Sequence, residues 1–419
     1  MSKTDWFATA NFGLFIHYDH ASQQGIELSW PILGLPYYSG VRTAAEYHAS
    51  AATFDPVHWR PAELAAKAAA AGMTYAVFTS KHHSGWASWP SEAAPFTITS
   101  SPYGKRGGDL VREYAEAFRA AGLRVGLYFS LSDWSHPDYP AWTDDQRPYI
   151  FGTSPVIRDQ ARWQRFRSVL KAELTELLTW YGPIELLWFD GQWERTADVW
   201  DTAELRDHIH SLAPHIVIND RLTDAGDYAT PEQAIPGEPP DGPWETCLTM
   251  SDYWGYVPTD GNYKSVGTIV RSLVEVVSKG GNLLLNVGPT GTGEIPKPEL
   301  AVLDGLAEWM STHGESVLGV GAGVAAWQFY GPTTRRGEDT LYLHMVGWPQ
   351  ETTSLRGVPA RRVRAVTLLD TGAALPFRGT FGAGDSSSDD VTGELVIDLP
   401  PARPDGPLPV IRVEFNRKV

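Results

Sequence analysis

The sequence predicts a (β/α)₈-like barrel of the TIM type, with one edge left irregular, followed by a C-terminal antiparallel β-sandwich. Three observations carry that expectation. Up to about residue 318, short and almost wholly apolar runs alternate with longer helical patterns; strands that apolar belong to a parallel sheet covered on both faces. Beyond 318 the runs become short and alternating, separated by Gly, Pro, Ser and Asp, with no helical pattern among them. That is the texture of a small sandwich. Finally, 419 residues exceed what one hydrophobic core usually supports. We expect a barrel over 1–318 and a sandwich over 319–419.

The elements follow in order. FGLFIHY, from Phe12, is the first strand, and PAELAAKAAAAG the first long helix, opened by Pro61 in its first turn and closed by Gly72. MTYAVFTS, a helix over 108–121 closed by Gly122, RVGLYFS and an amphipathic helix over 159–181 come next. IELLWFD, a helix over 203–212, HIVIND, PWETCLTM, a helix over 268–279, NLLLNVG and a helix over 298–313 complete the series. These are seven strand candidates, one short of a closed barrel. The eighth is either SVLGVG, after residue 315, or an irregular edge. A doubly wound sheet is the competing architecture, but no Gly-rich nucleotide loop follows the first strand. The sandwich strands are TLYLHMVGW, RRVRAVTLLD, GELVIDLP and PVIRVEF, with GAGDSSSDD as an exposed loop.

Charge excludes some partners. There are 34 basic and 50 acidic residues, giving −16, a surface that repels phosphate backbones and anionic membranes. Cys247 is the sole cysteine, so no internal disulfide exists, which fits a reducing compartment. The opening MSKTDWFATANFG lacks the pattern of a signal peptide. No apolar run reaches the roughly eighteen residues of a membrane span. We expect a cytoplasmic protein. Most of the 17 Trp are accounted for by packing, though flat aromatic faces also suit the C–H faces of sugars.

In such a barrel, catalytic groups stand at the C-terminal ends of strands, and here those ends are polar. The strands end at His17, at Lys81-His82-His83, near Tyr128, at Asp190 and at Asn219-Asp220-Arg221, and PWETC supplies Glu245. Asp190 ends an apolar strand and precedes Gly191, which leaves backbone room for a ligand; no helical run starts directly behind it, so a helix N-cap does not explain it. His82 and His83 can both face inward only if the strand breaks there. None of the usual zinc spacings occurs, so we expect neither metal nor cofactor, and neutral imidazoles that hydrogen-bond hydroxyls. If the substrate is a glycoside, its hydrolysis needs two carboxylates. Two glutamates compete for the acid role: Glu232, in the irregular loop AGDYATPEQAIPGEPPDGP, and Glu245, closer to the scaffold. Chemistry alone does not rank them.

At these residues the chain resembles glycoside hydrolase family 29, the α-L-fucosidases, from FGLFIH to about Leu318. The resemblance is carried by KHHSGW, YFSLSDWSHP, LLWFDG, VINDR, PWETC, DYWGY and SKGGNLLLNVGPTGTGEIP in family order. It implies a retaining, exo-acting hydrolase of terminal α-L-fucosides, with a fucosylated oligosaccharide or glycoconjugate as substrate. It implies Asp190 as nucleophile, with His17, His82, His83 and Tyr128 holding sugar hydroxyls and Arg221 beside the nucleophile. It further implies Phe15, Trp188 and Trp254 around the fucose methyl, and Glu27 and Trp30 capping the sugar. TPEQ resembles the loop that supplies the acid/base in several members and favours Glu232 over Glu245. Two departures, HYD at 17–19 and KHHSGW at 81–86, put the aglycone side at issue through Ser84 and Trp86. The alternatives are a fucoside-binding relative without turnover and a preference for a related sugar such as an α-L-galactoside.

Overall fold

The computed structural model describes residues 3–33, 43–140, 154–381 and 391–416; the expected GAGDSSSDD loop lies outside them. Seven parallel strands form one curled sheet: β1 Phe12–Ile16, β2 Tyr75–Lys81, β3 Arg124–Ser130, β4 Leu186–Asp190, β5 Val217–Ile218, β6 Glu245–Thr249 and β7 Asn282–Val287. Their order is β5-β4-β3-β2-β1-β7-β6. Apolar side chains point both ways from this sheet. Tyr75, Val77, Tyr128, Leu186, Trp188, Val217 and Leu284 alternate into one inner cluster, while Ala76, Phe78, Leu127, Leu187 and Leu285 pack outward against helices. The two-residue period of the strand therefore builds a barrel interior and an outer layer at once.

The gap between β5 and β6 is closed by residues 227–233. Asp227 N–H donates to Ile218 O at 2.7 Å and Asp220 N–H to Tyr228 O at 2.8 Å. On the other side Glu245 N–H reaches Ala229 O at 2.9 Å, and Gln233 N–H reaches Cys247 O at 3.0 Å. The bridges Asn219↔Tyr228, Ala229↔Trp244 and Glu232↔Cys247 are all parallel. The expected irregular loop thus occupies the eighth wall position. SVLGVG does not: it forms a short turn ending in Gly321–Ala322, which pairs within the second domain. Pro231 explains why no strand was readable in the loop, since it has no N–H to give to a ladder and contributes only its carbonyl, to Cys247 N–H at 3.2 Å. Gly226 permits the turn back from β5, because a Cβ there would lie 2.5 Å from Asn219 O.

The helices of ten residues or more between strands are Pro61–Ala70, Leu110–Ala120, Gln160–Trp180, Thr202–Leu212, Val266–Ser278 and Lys297–His313. Asp109, Asp159 and Ser265 cap three of them through side-chain acceptors. Among the described residues no helix is long and apolar enough to cross a membrane. At the strands' N-terminal end the barrel is plugged by Phe7, whose ring centroid lies 4.2 Å from that of Tyr228.

The remaining strands are antiparallel: β8 Gly321–Ala322, β9 Thr333–Arg336, β10 Thr340–His344, β11 Thr352–Val358, β12 Val363–Leu368, β13 Ala373–Ala374, β14 Phe377–Thr380, β15 Gly393–Asp398 and β16 Val410–Phe415. They form sheets of order β13-β12-β16-β10-β9-β8 and β11-β15-β14 around a core that includes Leu341, Leu355, Val366, Leu395, Ile397 and Val413. All four expected sandwich strands lie within these sheets.

Candidate active site

At the C-terminal ends of the strands, Phe15, His17, Trp30, His82 and Tyr128 line one cavity of about 160 Å³ together with Trp188, Trp193, Asp190, Arg221, Glu232 and Trp254. Asp190 ends β4 directly opposite Ser130 of β3. Its Oδ1 accepts from Arg221 Nη1 at 2.7 Å and its Oδ2 from the Tyr128 hydroxyl at 2.8 Å. The charge-assisted contact and the phenol hold a carboxylate that is only 8% exposed. Gly191 behind it has φ +76°, and a Cβ there would meet Ser132 Oγ at 2.1 Å. The glycine is therefore demanded by a left-handed turn against β3, not by room for a ligand.

Arg221 donates its other terminal nitrogen, Nη2, to Glu232 Oε2 at 2.6 Å. One planar guanidinium thus spans both carboxylates, and its centre lies 4.4 Å above the Trp188 ring. Burial opposes this charge, but Asp190 and Glu232 together hold it above its usual value. Glu232 stands at the cavity with its side chain 39% exposed, open to a leaving group and to water.

The histidines are neutral. Burial pulls His17 down to about 4, against the opposing pull of Asn286 and Asp190, and pulls His82 and His83 well below the usual range. Their tautomers follow from their partners. Asn286 Nδ2 donates to Trp254 O at 2.7 Å, so its Oδ1 accepts from His17 Nδ1 at 2.6 Å. Ser130 spends its hydroxyl proton on Ser132 O at 2.6 Å, so its oxygen accepts from His83 Nδ1 at 2.7 Å. Both rings consequently offer an Nε2 lone pair, and His83 Nε2, with no hydrogen-bond partner, lies 3.6 Å from Asp190 Oδ2. His82 lines the cavity, whereas the expected sugar contact His83 stands behind it, fully buried against Asp190; the strand β2 ends at Lys81, after a register shift against β3 between Thr79 and Lys81. His82, His83 and Asp190 bring potential ligand atoms within 4.8 Å of one another, but Arg221 and Tyr128 already occupy the carboxylate.

Three expectations change. Glu245 opens β6 and is fully buried beneath the cavity, its Oε1 accepting the Trp188 indole N–H at 2.9 Å and its Oε2 the Tyr75 hydroxyl. It does not line the cavity, so it cannot reach a leaving group. Glu27 does not line it either: its carboxylate accepts the backbone N–H groups of Trp254 and Gly255, each at 2.8 Å, and so holds the loop that presents Trp254. Ser84 and Trp86 are buried away from the cavity, Trp86 against His20 and Phe54, and Asp19 caps the turn at 20–23. These two sequence departures are packing changes. The residues that sequence reasoning missed are Trp193 and Asn286. Trp193 lies near-parallel to Trp30, 9° between planes and 6.2 Å between centroids; its only signal was an aromatic three places after Asp190. Asn286 had the stronger one, a polar residue inside the apolar run NLLLNVG.

A family model described as "Alpha-L-fucosidase" matches residues 1–315. An alpha-L-fucosidase of Branchiostoma floridae is 29% identical, covering 90% of this chain and 87% of its own length. Among solved structures, alpha-L-fucosidase isoenzyme 1 from Paenibacillus thiaminolyticus is 35% identical, covers 99% of both chains and superposes with a TM-score of 0.84. Thermotoga maritima alpha-fucosidase, solved in complex with a mechanism-based inhibitor, is 27% identical over 98% of this chain and 96% of its own, with a TM-score of 0.76.

Proposed function

The chain belongs to the α-L-fucosidases, glycoside hydrolase family 29, and from that premise we propose that it hydrolyses terminal α-L-fucosides by double displacement on Asp190 with Glu232 as acid/base. The observation that carries the reading is the Arg221 guanidinium held between the two carboxylates at the cavity, while Glu245 is shut away beneath it. Asp190 attacks the anomeric carbon and Glu232 gives its proton to the departing oxygen, leaving a fucosyl ester. Glu232 then takes a proton from water, which attacks the same carbon and releases Asp190. Two inversions give net retention, and the mechanism calls for carboxyl groups about 5–5.5 Å apart. The single arginine shared by the pair supports so short a separation.

The neutral ring of His17, which lines the cavity, presents an acceptor to sugar hydroxyls. Phe15, Trp188 and Trp254 supply an apolar wall whose ring centroids lie 5.1 Å and 5.8 Å from Phe15; burying the sugar's methyl there favours fucose over the galactoside by about 0.8 kcal/mol. The test is labelling with 2-fluoro-fucosyl fluoride followed by peptide mapping, beside an NMR time course. We expect the label on Asp190 and the α-anomer as first product. A β-anomer, or a label elsewhere, would overturn the reading.

A further inference from the structure

Glu245 is a buried carboxyl that this reaction does not use, and its contacts connect it to the groups that the reaction does use. Its Oε1 accepts the Trp188 indole N–H at 2.9 Å, and its Oε2 accepts from the Tyr75 hydroxyl. Trp188 carries the Arg221 guanidinium over its face at 4.4 Å. Arg221 in turn donates to Asp190 at 2.7 Å and to Glu232 at 2.6 Å. The other faces of the indole meet the Phe15 and Tyr128 rings, at centroid distances of 5.1 Å and 5.6 Å. Neither ring offers the N–H a comparable acceptor. A buried indole N–H left unpaired is costly, so the carboxyl fixes the plane in which the ring stands.

We propose that Glu245 is a positioning residue for the reaction: by holding the Trp188 ring it sets where Arg221 lies, and thereby the mutual placement of Asp190 and Glu232. The proposal rests on the reading of those two carboxylates as the catalytic pair. On this proposal a glutamate beneath the cavity acts on the chemistry although it touches no reacting atom. The guanidinium is planar and lies over the ring, so a tilt of the indole moves both of its donor nitrogens together. The carboxylates, each bound to one of those nitrogens, then lose their common reference.

The test is a double-mutant cycle between Glu245 and Trp188, read on aryl α-L-fucosides of graded leaving-group acidity. Glu245→Ala should lower kcat/KM by about 10- to 100-fold, by the same factor for every leaving group and without rescue by azide. Trp188→Phe should produce a similar fall, and adding Glu245→Ala to it should cost less than about twofold more. Glu245→Gln keeps an acceptor for the indole and should recover most of the loss. Because the cation is displaced from between the carboxylates, the acid limb of kcat/KM should move to higher pH in Glu245→Ala and Trp188→Phe; a purely structural defect would lower activity and leave that limb in place. If the alanine variant does not fold, Glu245→Met, close in size but without an acceptor, takes its place in the cycle. Losses that multiply in the double variant, an unmoved acid limb, or a leaving-group-dependent loss rescued by azide would each overturn the proposal. Labelling of Asp190 alongside multiplying losses would overturn this inference alone, whereas labelling elsewhere would overturn the reading beneath it.

Discussion

Two arcs of the barrel wall are built differently. From β7 through β1, β2 and β3, strands of five to seven residues pair along their length, with one register shift, between Thr79 and Lys81 of β2 against β3. From β5 to β6, a two-residue strand is followed by the proline-bearing stretch 227–233, held by isolated bridges. The regular arc carries neutral groups, His17, His82 and Tyr128, each fixed by a second side chain: Asn286, Ser29 and Asp190. The irregular arc carries the charged ones, Arg221 and Glu232. Recognition of a rigid ring benefits from acceptors locked by a continuous sheet. In the mechanism proposed above the acid meets a leaving group and then a water, which calls for an exposed position such as Glu232 has on the broken strand.

If this division holds, damage should differ in kind as well as in size between the arcs. The largest effect belongs to Asp190, where they meet. Asp190→Gly should lower kcat by about 10⁴-fold or more, and azide, entering the vacated face, should restore turnover with the opposite anomeric configuration in the product. Chromatographic detection of the fucosyl azide checks it, and rescue with retained configuration would remove Asp190 from the role.

Next comes the irregular arc. Glu232→Ala should cost roughly 10²–10⁴-fold with poor leaving groups and far less with a leaving group that departs without a proton. The plot of log kcat against leaving-group pKa should steepen in the variant; a parallel plot would mean that Glu232 is not the acid. On the regular arc, Tyr128→Phe removes one hydrogen bond to a carboxylate, about 1.5–3 kcal/mol, so kcat/KM should fall roughly 10- to 100-fold evenly across the same series. A steepened plot here would erase the distinction between the arcs.

The regular arc was also the legible one. FGLFIH and YAVFTS, and LLWFD on the strand that adjoins the arc, are runs in which every residue is buried, so hydrophobicity alone locates them, and the polar residues at their ends declare the site. The eighth wall position could not be read the same way. It is made by backbone groups of 227–233, a mixed polar stretch interrupted by Pro231, and nothing in side-chain polarity reports where a carbonyl points. Nor could Glu245 be placed by pattern. It is the first residue of β6 and Thr249 the last, so it stands at the end of the strand away from the site, and hydrophobicity does not show where in PWETCLTM the strand begins. The depth of Glu27 was hidden for a related reason, since its partners Trp254 and Gly255 are more than two hundred residues away.

The smallest effect is on stability, and it sharpens the comparison because the two kinds of buried group bias it in opposite directions. His17, on the regular arc, is lowered from 6.5 to about 4 by burial. The unfolded chain therefore takes up a proton that the native state refuses, and the stability His17 contributes is present above pH 6.5 and lost as pH falls toward 4. Glu245, beside the irregular arc, is raised from 4.5 to about 7, again by burial. The native state keeps a proton that the unfolded chain releases, so its contribution is present below pH 4.5 and lost as pH rises through 7. Urea midpoints at pH 5, 6.5 and 8 should separate the two. Against wild type, His17→Asn should gain relative stability at pH 5, by about 1–2 kcal/mol, and Glu245→Gln should gain it at pH 8. The same pH dependence in both variants would mean that the arcs do not differ in how their buried groups hold protons, and the division drawn between them would then concern geometry alone.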